Sequence, residues 1–270
     1  MTMHARVAQA FVWRDFKIAT SYRTAFVIQI ASIFVAVPLF FFMGTMVEGA
    51  NLKSLERYGG SYFGFLLIGV ALLDFLAVSL SSFGSSLRES QLTGTLEIVL
   101  LSKTSLIEVL LYSSLWFYLF TSIRFVLYLV VGAMFKLDLG NANFLGAALI
   151  LAISILSFIP FGIFTAAIIM LIKRGEGVNT LISGASLFFG GVLFPVSSMP
   201  EWMQILAQCL PFTHALEGMR QAIQSGVSIE GLGRYFLVLG TFAVVLTPLS
   251  WLAFALAVRR TRVTGTLGQY

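Results

Sequence analysis

Two side chains of the kind that enzymes use as nucleophile or base, Cys209 and His214, lie close together in the sequence. A nucleophile needs a neighbouring base and a third group that orients this base, and no acidic residue stands at a recognisable triad spacing from His214. Cys209 is the single cysteine, so no intrachain disulfide can form, and no pair of Cys or His residues has metal-ligand spacing. We therefore expect no catalytic residue, metal or cofactor on this chain, and we interpret His214 as a capping or interfacial residue.

Two charged residues, Asp74 and Arg124, interrupt long apolar runs. Ionisable residues inside a membrane usually face the interior of the helix bundle and pair with each other. Counting along the two helices places Asp74 near mid-depth and Arg124 somewhat further out. We predict that they pair or line a translocation path, and a purely structural clasp between two spans is an equally good interpretation.

Segment 84–104 combines polar and apolar residues between two of the apolar runs. Ser86 and Glu89 have capping-box spacing, which predicts the start of a short helix, and Gly94 predicts its end. An ordinary interfacial loop is the alternative. The segment would offer Arg88, Glu89 and Glu97 to a partner, beside the apolar side chains Leu92, Leu96, Ile98 and Val99.

Two further patterns mark helix boundaries. Ser105 and Glu108 repeat the capping-box spacing at the start of the next apolar run. Segment 198–226 is too polar for a span, and we predict two short helices there. The first begins with capping-box spacing from Ser198 to Glu201 and has Pro200 in its first turn, Pro211 divides the two, and Gly226 closes the second. An outer cap that serves only folding is the alternative.

The composition requires that these segments be held in a membrane. Hydrophobic residues make up 58% of the chain and charged residues 11%, whereas charged residues make up about a quarter of a soluble domain. A span needs about 20 apolar residues. We predict an all-α integral membrane protein with one permease domain, 1–270, and six transmembrane helices: 24–47, 61–83, 107–135, 144–172, 178–195 and 235–258.

The first 23 residues are charged and aromatic and lack the pattern of a cleavable signal, so we expect the first helix to be retained. Residues 4–22 predict an amphipathic helix in the membrane interface, although a frayed basic tail is the alternative. Lys and Arg are concentrated in both tails, in segment 84–104 and near residue 173. The positive-inside rule then predicts a multi-pass protein of the cytoplasmic (inner) membrane with both termini in the cytoplasm.

Two stretches resemble one transporter family. The run from Glu89 through Gly94-Thr95-Leu96-Glu97, followed by Leu100-Leu101-Ser102, resembles the coupling helix of type-2 ATP-binding-cassette (ABC) exporter permeases. Residues 191–220, with Phe194-Pro195, Met199-Pro200 and Pro211-Phe212, resemble the segment between the last two spans of these permeases. Lys103-Thr104 departs from the pattern, because many relatives have a proline there, and we expect only an altered turn.

The resemblance implies two copies of an ABC ATPase subunit, which carry ATP and Mg, beneath a homodimer of this chain or a heterodimer with a similar one. It implies that the cytoplasmic segment couples to the ATPase through Arg88, Glu89, Leu92, Gly94, Thr95, Leu96 and Glu97. It also implies that the short helices dip into the outer leaflet and shape the exit with Phe194, Pro195, Pro200, Trp202, Pro211, Phe212 and His214. The chain itself has no G-x-x-x-x-G-K-[ST] phosphate loop.

We therefore predict the transmembrane subunit of an exporter for an amphiphilic, drug-like or glycan/lipid-linked substrate, in contact with membrane lipids and not with nucleic acid. A secondary transporter would be expected to show more intramembrane titratable groups and related halves. A membrane enzyme would need a polar constellation at the interface. A channel formed on oligomerisation is not excluded by the sequence.

Overall fold

The computed structural model describes residues 3–48, 61–92, 105–172 and 176–264. Within these ranges the chain forms α-helices, one short 3₁₀ helix at Val196–Ser198, and no strand. The α-helices are α1 Met3–Ser21, α2 Arg23–Glu48, α3 Tyr62–Leu92, α4 Leu106–Met134, α5 Phe144–Ile172, α6 Glu176–Phe189, α7 Glu201–Gln208, α8 Pro211–Ile223 and α9 Gly233–Thr264.

Five of these helices are long and apolar enough to cross a membrane: α2, α3, α4, α5 and α9. The fifth predicted span, 178–195, is not a continuous helix, because α6 ends at Phe189. Its 14 residues extend about 21 Å at 1.5 Å per residue, less than the roughly 30 Å of a hydrocarbon core. The chain turns at Gly190 and Gly191, and Gly191 has φ +81°, which ends the helix.

Helix α3 is the centre of the bundle. It packs against α2, α4, α5, α6 and α8, and 72% of its most apolar stretch is buried, against 11% for α2 and 17% for α9. Its large side chains Phe65, Leu72 and Phe75 are fully buried. The exposed apolar side chains of α2 and α9 form the surface that a lipid environment would cover.

The helices meet at two ends. At the α1 end, the last turns of α3 pack with the start of α4 and the last turns of α5 and α9, through Phe83, Leu87, Leu106, Met170 and Phe254. At the opposite end, which we call the α8 end, the amide N–H of Asn143 donates to the carbonyl of Ala222, 2.8 Å away. The long helices therefore run antiparallel to their neighbours in the chain.

The prediction of a separate helix starting at Ser86 is wrong. α3 continues without a break from Tyr62 to Leu92, and the hydroxyl of Ser90 donates to the carbonyl of Ser86. No proline interrupts this stretch, and Gly84 lies against the side chain of Ile169, so a helix packed on α5 is favoured there. The predicted end of that helix, at Gly94, lies outside the described residues.

Candidate functional site

The intramembrane charges Asp74 and Arg124 form an ion pair between α3 and α4. Nη2 of Arg124 lies 2.8 Å from Oδ2 of Asp74, and the two side chains are 20% and 27% exposed respectively. Tyr128, one helical turn after Arg124, lies beside both charges. Nε of Arg124 is buried without a hydrogen-bond partner among the described residues, so the guanidinium retains one unused donor.

At the α8 end, a buried arginine organises the segment between α6 and α9. Arg220 of α8 is 2% exposed and donates through Nη1 to the carbonyl of Gly191 and through Nη2 to that of Phe65, both at 2.8 Å. Nη2 also reaches the carbonyl of Val192 at 3.2 Å. The guanidinium carbon stacks 3.3 Å from the centre of the Phe65 ring. Arg220 thus joins α8, the turn after α6, and α3.

Sequence reasoning missed this role. The contacts of Arg220 come from residues 28 to 155 positions away in the sequence. The single local signal is its place at helical spacing on the apolar face that also holds Phe212, Leu216 and Met219, all buried. An arginine on an apolar face needs carbonyl or acidic partners from another element.

The predicted outer-segment residues separate into a buried and an exposed group. Pro211 and Phe212 are buried, and the Phe212 ring lies 6.1 Å from that of Phe158 and against Gly190. Phe194 and Trp202 are more than half exposed, and the Trp202 ring has an edge contact with Phe189 at 6.4 Å. The exposed pair offers aromatic surface to a ligand or to lipid, whereas the buried pair holds α8 in place.

Prolines lie at the starts of the short helices of this segment, and one predicted cap is absent. Pro195 precedes the 3₁₀ helix, and Pro200 is the N-cap of α7 without a side-chain hydrogen bond. The predicted capping box from Ser198 to Glu201 is therefore wrong, because Ser198 is itself part of the 3₁₀ helix and lies two residues before the N-cap. Pro211 divides the two short helices as predicted, and it is the first residue of α8.

His214 and Cys209 lie at the junction of α7 and α8. Nε2 of His214 is 2.9 Å from the carbonyl oxygen of Gln208, the last residue of α7, and its ring lies 6.2 Å from that of Phe242. Because a carbonyl only accepts, Nε2 carries the proton in this contact. This geometry agrees with the interpretation of His214 as a capping residue. Cys209 is an exposed free thiol.

At the α1 end, part of the predicted ATPase-coupling set is described. Arg88 and Glu89 lie on the last two turns of α3, and Leu92 is its final residue. Gly94, Thr95, Leu96 and Glu97 lie outside the described residues. The predicted capping box that follows is confirmed: the Ser105 amide donates to Oε2 of Glu108 at 3.0 Å, and the Glu108 amide donates to Oγ of Ser105 at 3.3 Å.

The N-terminal helix lies beside this end of the bundle. α1 spans Met3–Ser21, close to the predicted 4–22, and packs on α4. The Phe16 ring meets that of Trp116 at 5.3 Å, and the Phe11 ring meets that of Tyr112 at 5.8 Å. Part of the apolar face that the sequence predicts for a membrane interface is therefore covered by α4.

The fold is that of a polytopic α-helical membrane protein whose longest described helices bundle around α3. Residues 6–223 match the family model described as ABC-2 type transporter. The match covers most of the chain, from α1 to the end of α8, and the chain belongs to this family of transporter membrane domains, as the sequence resemblance indicated. No curated protein matches the chain. Membership of the family implies a transport subunit that works with an ABC ATPase.

Proposed function

We propose that this chain is the membrane-spanning subunit of an ATP-driven exporter. In this proposal it works as a homodimer on two ATPase subunits in the cytoplasmic (inner) membrane, with both termini in the cytoplasm. ATP and Mg are bound by the ATPase subunits. The observation that carries the proposal is the convergence of the α3 and α4 ends beside α1, because these ends flank residues 93–104, where the coupling signature lies.

The packing of these helix ends allows them to transmit a force to the rest of the bundle. Leu87 of α3 and Leu106 and Leu110 of α4 are buried in one apolar cluster, and the capping box at Ser105 and Glu108 starts α4. A force applied to residues 93–104 would therefore act on two long helices at once. ATPase domains that move as rigid bodies when ATP bridges them can supply such a force.

The six-span topology forms part of the proposal. We propose that α6, together with the turn at residues 190–195 and the helices α7 and α8, completes the fifth crossing and leaves α7 and α8 in the outer leaflet. The four hydrogen bonds from Arg220 support this, since non-helical backbone at membrane depth needs partners within the protein. Phe194 and Trp202 would then line the exit.

The proposed substrate is amphiphilic, drug-like or glycan/lipid-linked. The Asp74 and Arg124 pair supplies the charge near mid-depth that a polar substrate group would meet, and the unused Nε donor of Arg124 supports a place beside the path. The structural clasp between α3 and α4 is the other role for the pair. Outward transport is proposed because the chain resembles the permeases of exporters.

The test is to express the chain with the ATPase encoded beside it, to purify through a tag on this chain, and to measure nucleotide hydrolysis in lipid nanodiscs. We expect the ATPase to co-purify, and we expect Glu97→Ala and Glu89→Ala to lower hydrolysis or assembly severalfold. Glu230→Gln is the control, because Glu230 is exposed beyond the α8 end. If well-folded chain binds no ATPase, the exporter proposal fails, and a secondary transporter or channel takes its place.

A further inference from the structure

Helix α1 turns one narrow stripe of residues away from the bundle. At about 100° per residue, its members lie within about 80° of one another around the helix axis. We call them the outer stripe of α1, and all five are exposed: Arg6, Ala10, Trp13, Lys17 and Ser21. This stripe is therefore the part of α1 that meets the surroundings of the protein.

The opposite side of α1 faces the bundle. The rings of Phe11 and Phe16 contact aromatic rings of α4, with centroids 5.8 and 5.3 Å apart. Asp15 lies between these two rings around the helix axis, and it lines a cavity together with Glu89 of α3. The apolar side of an amphipathic helix usually enters the lipid, but here α4 covers much of it. The outer stripe is the side that remains for the membrane.

The outer stripe carries positive charge and no carboxylate. Arg6 and Lys17 form no ion pair within the part of the chain that the structure describes. Asp15 is the one acidic residue of α1, and its Oδ1 already accepts from Nε of Arg14 at 2.7 Å, so these two charges compensate each other. Arg23, the first residue of α2, is also exposed and adds a third cation beside the stripe.

Exposed aromatic side chains accompany these cations. Trp13 is 57% exposed, and Nζ of Lys17 lies 5.4 Å from the centre of its ring. Tyr22, between α1 and α2, is 69% exposed. Trp and Tyr are enriched where a membrane meets water, because their rings are apolar and one end of each is polar. The combination of cations with these rings fits a layer of lipid headgroups better than bulk water.

We propose that the outer stripe of α1 docks on the headgroups of anionic phospholipids in the leaflet at the α1 end, with Arg6 and Lys17 against phosphates and Trp13 between headgroups. The first apolar span begins at Arg23, so the stripe lies directly before the point where the chain enters the membrane. An anionic leaflet attracts each nearby Lys or Arg by a free energy that corresponds to about fivefold in binding. A zwitterionic leaflet has no net charge and lacks this attraction.

The test uses the full-length chain purified in detergent without an ATPase. Native mass spectrometry measures the ratio of bound palmitoyl-oleoyl phosphatidylglycerol to bound palmitoyl-oleoyl phosphatidylcholine from an equimolar mixture, in which the two lipids share their acyl chains. We expect the unmodified chain to bind more phosphatidylglycerol. Arg6→Gln and Lys17→Gln should each lower the ratio about fivefold. The double variant should show the product of both effects, because the two positions are roughly 16 Å apart along the helix.

Arg234→Gln is the matched control, because it is the same substitution at an exposed position at the α8 end, on the first turn of α9. Its ratio should change less than about twofold, since one isolated cation falls short of the fivefold effect expected on the stripe. Melting curves without lipid check that each variant is folded. If the double variant does not fold, the two single variants decide the result.

Equal binding of the two lipids by the unmodified chain, or unchanged ratios in both single variants, would overturn the assignment. An equal loss in Arg234→Gln would also overturn it, because any exposed cation would then suffice. Soluble glycerol 3-phosphate should not displace phosphatidylglycerol at comparable concentrations, and displacement would indicate a simple anion site. Unchanged lipid ratios with weaker ATPase co-purification would assign the stripe to a partner protein instead. The lipid measurement needs no ATPase, so its failure is distinguishable from failure of the exporter proposal.

Discussion

At the scale of single residues, Arg220 shows how a charge is kept inside an apolar bundle. Its guanidinium donates four hydrogen bonds to the carbonyl oxygens of Phe65, Gly191 and Val192. The flat guanidinium also covers the Phe65 ring. Lysine offers neither the fork of donors nor the flat face.

Arg220→Lys should therefore destabilise the chain by about 2 kcal/mol, since it leaves buried carbonyls with too few donors. The measurement is equilibrium unfolding of the purified chain in mixed micelles. Arg234→Lys is the control, because Arg234 is exposed at the start of α9. Equal stability of the two variants would show that the network around Arg220 contributes little.

The Asp74 and Arg124 pair makes a second prediction at this scale. Asp74→Asn or Arg124→Gln alone leaves one partly buried charge without its partner. The losses in free energy of unfolding from the two single substitutions should therefore sum to more than the loss from the double substitution. We expect a coupling energy of at least about 1 kcal/mol from a double-mutant cycle. Additive effects would contradict a clasp and would leave the translocation path as the role of both charges.

At the scale of the elements, the contact between α3 and α5 depends on Gly162. A Cβ atom at this position would meet the carbonyl oxygen of Ser79 and the ring of Phe83, both on α3. The two backbones approach this closely because one residue has no side chain. α3 and α5 both contribute to the core of the bundle, so a larger distance between them would affect the whole fold.

Gly162→Ala should therefore destabilise the chain by about 1–3 kcal/mol through overpacking. Gly184→Ala is a matched control, because nothing lies within 4 Å of the Cβ atom that would be added there, although Gly184 is also helical. Thermal unfolding in detergent compares the two. Equal melting temperatures would mean that α3 moves aside at little cost.

Sequence patterns predicted helix boundaries correctly where the residues that form the contact lie within a few positions of each other. The capping box of Ser105 and Glu108 formed as predicted, since its partners are three residues apart. The start at Ser86 and the cap at Ser198 did not form, although their spacing is the same. At Ser86 the helix α3 continues without a break, and at Ser198 the 3₁₀ helix leaves Pro200 as the N-cap of α7.

At the scale of the whole molecule, the proposed topology can be tested with the one natural cysteine. Cys209 is exposed in the segment between α7 and α8, so a membrane-impermeant maleimide should label it in intact cells if that end faces outward. Arg259 is exposed on the last turns of α9, at the end that we propose to be cytoplasmic. A Cys209→Ser chain that carries Arg259→Cys should therefore be labelled only after permeabilisation. The reverse pattern would invert the proposed topology.

Composition and spacing alone determined the membrane class, the short helices around Pro211, the N-terminal helix and the family resemblance. These depend on apolar length and on contacts within a few residues. The family match supports the transporter class, and the structure describes five apolar helices of spanning length with α6 shorter. The proposed coupling residues remain predictions.

Only the tertiary structure decided that α3 is central, that α6 ends at Phe189 and that Arg220 is buried. It also decided that Asp74 meets Arg124, and that Asp15 and Glu89 line one cavity. Each of these facts joins residues far apart in the chain. Packing chooses such partners from among many apolar faces of similar composition, so a single sequence does not distinguish them.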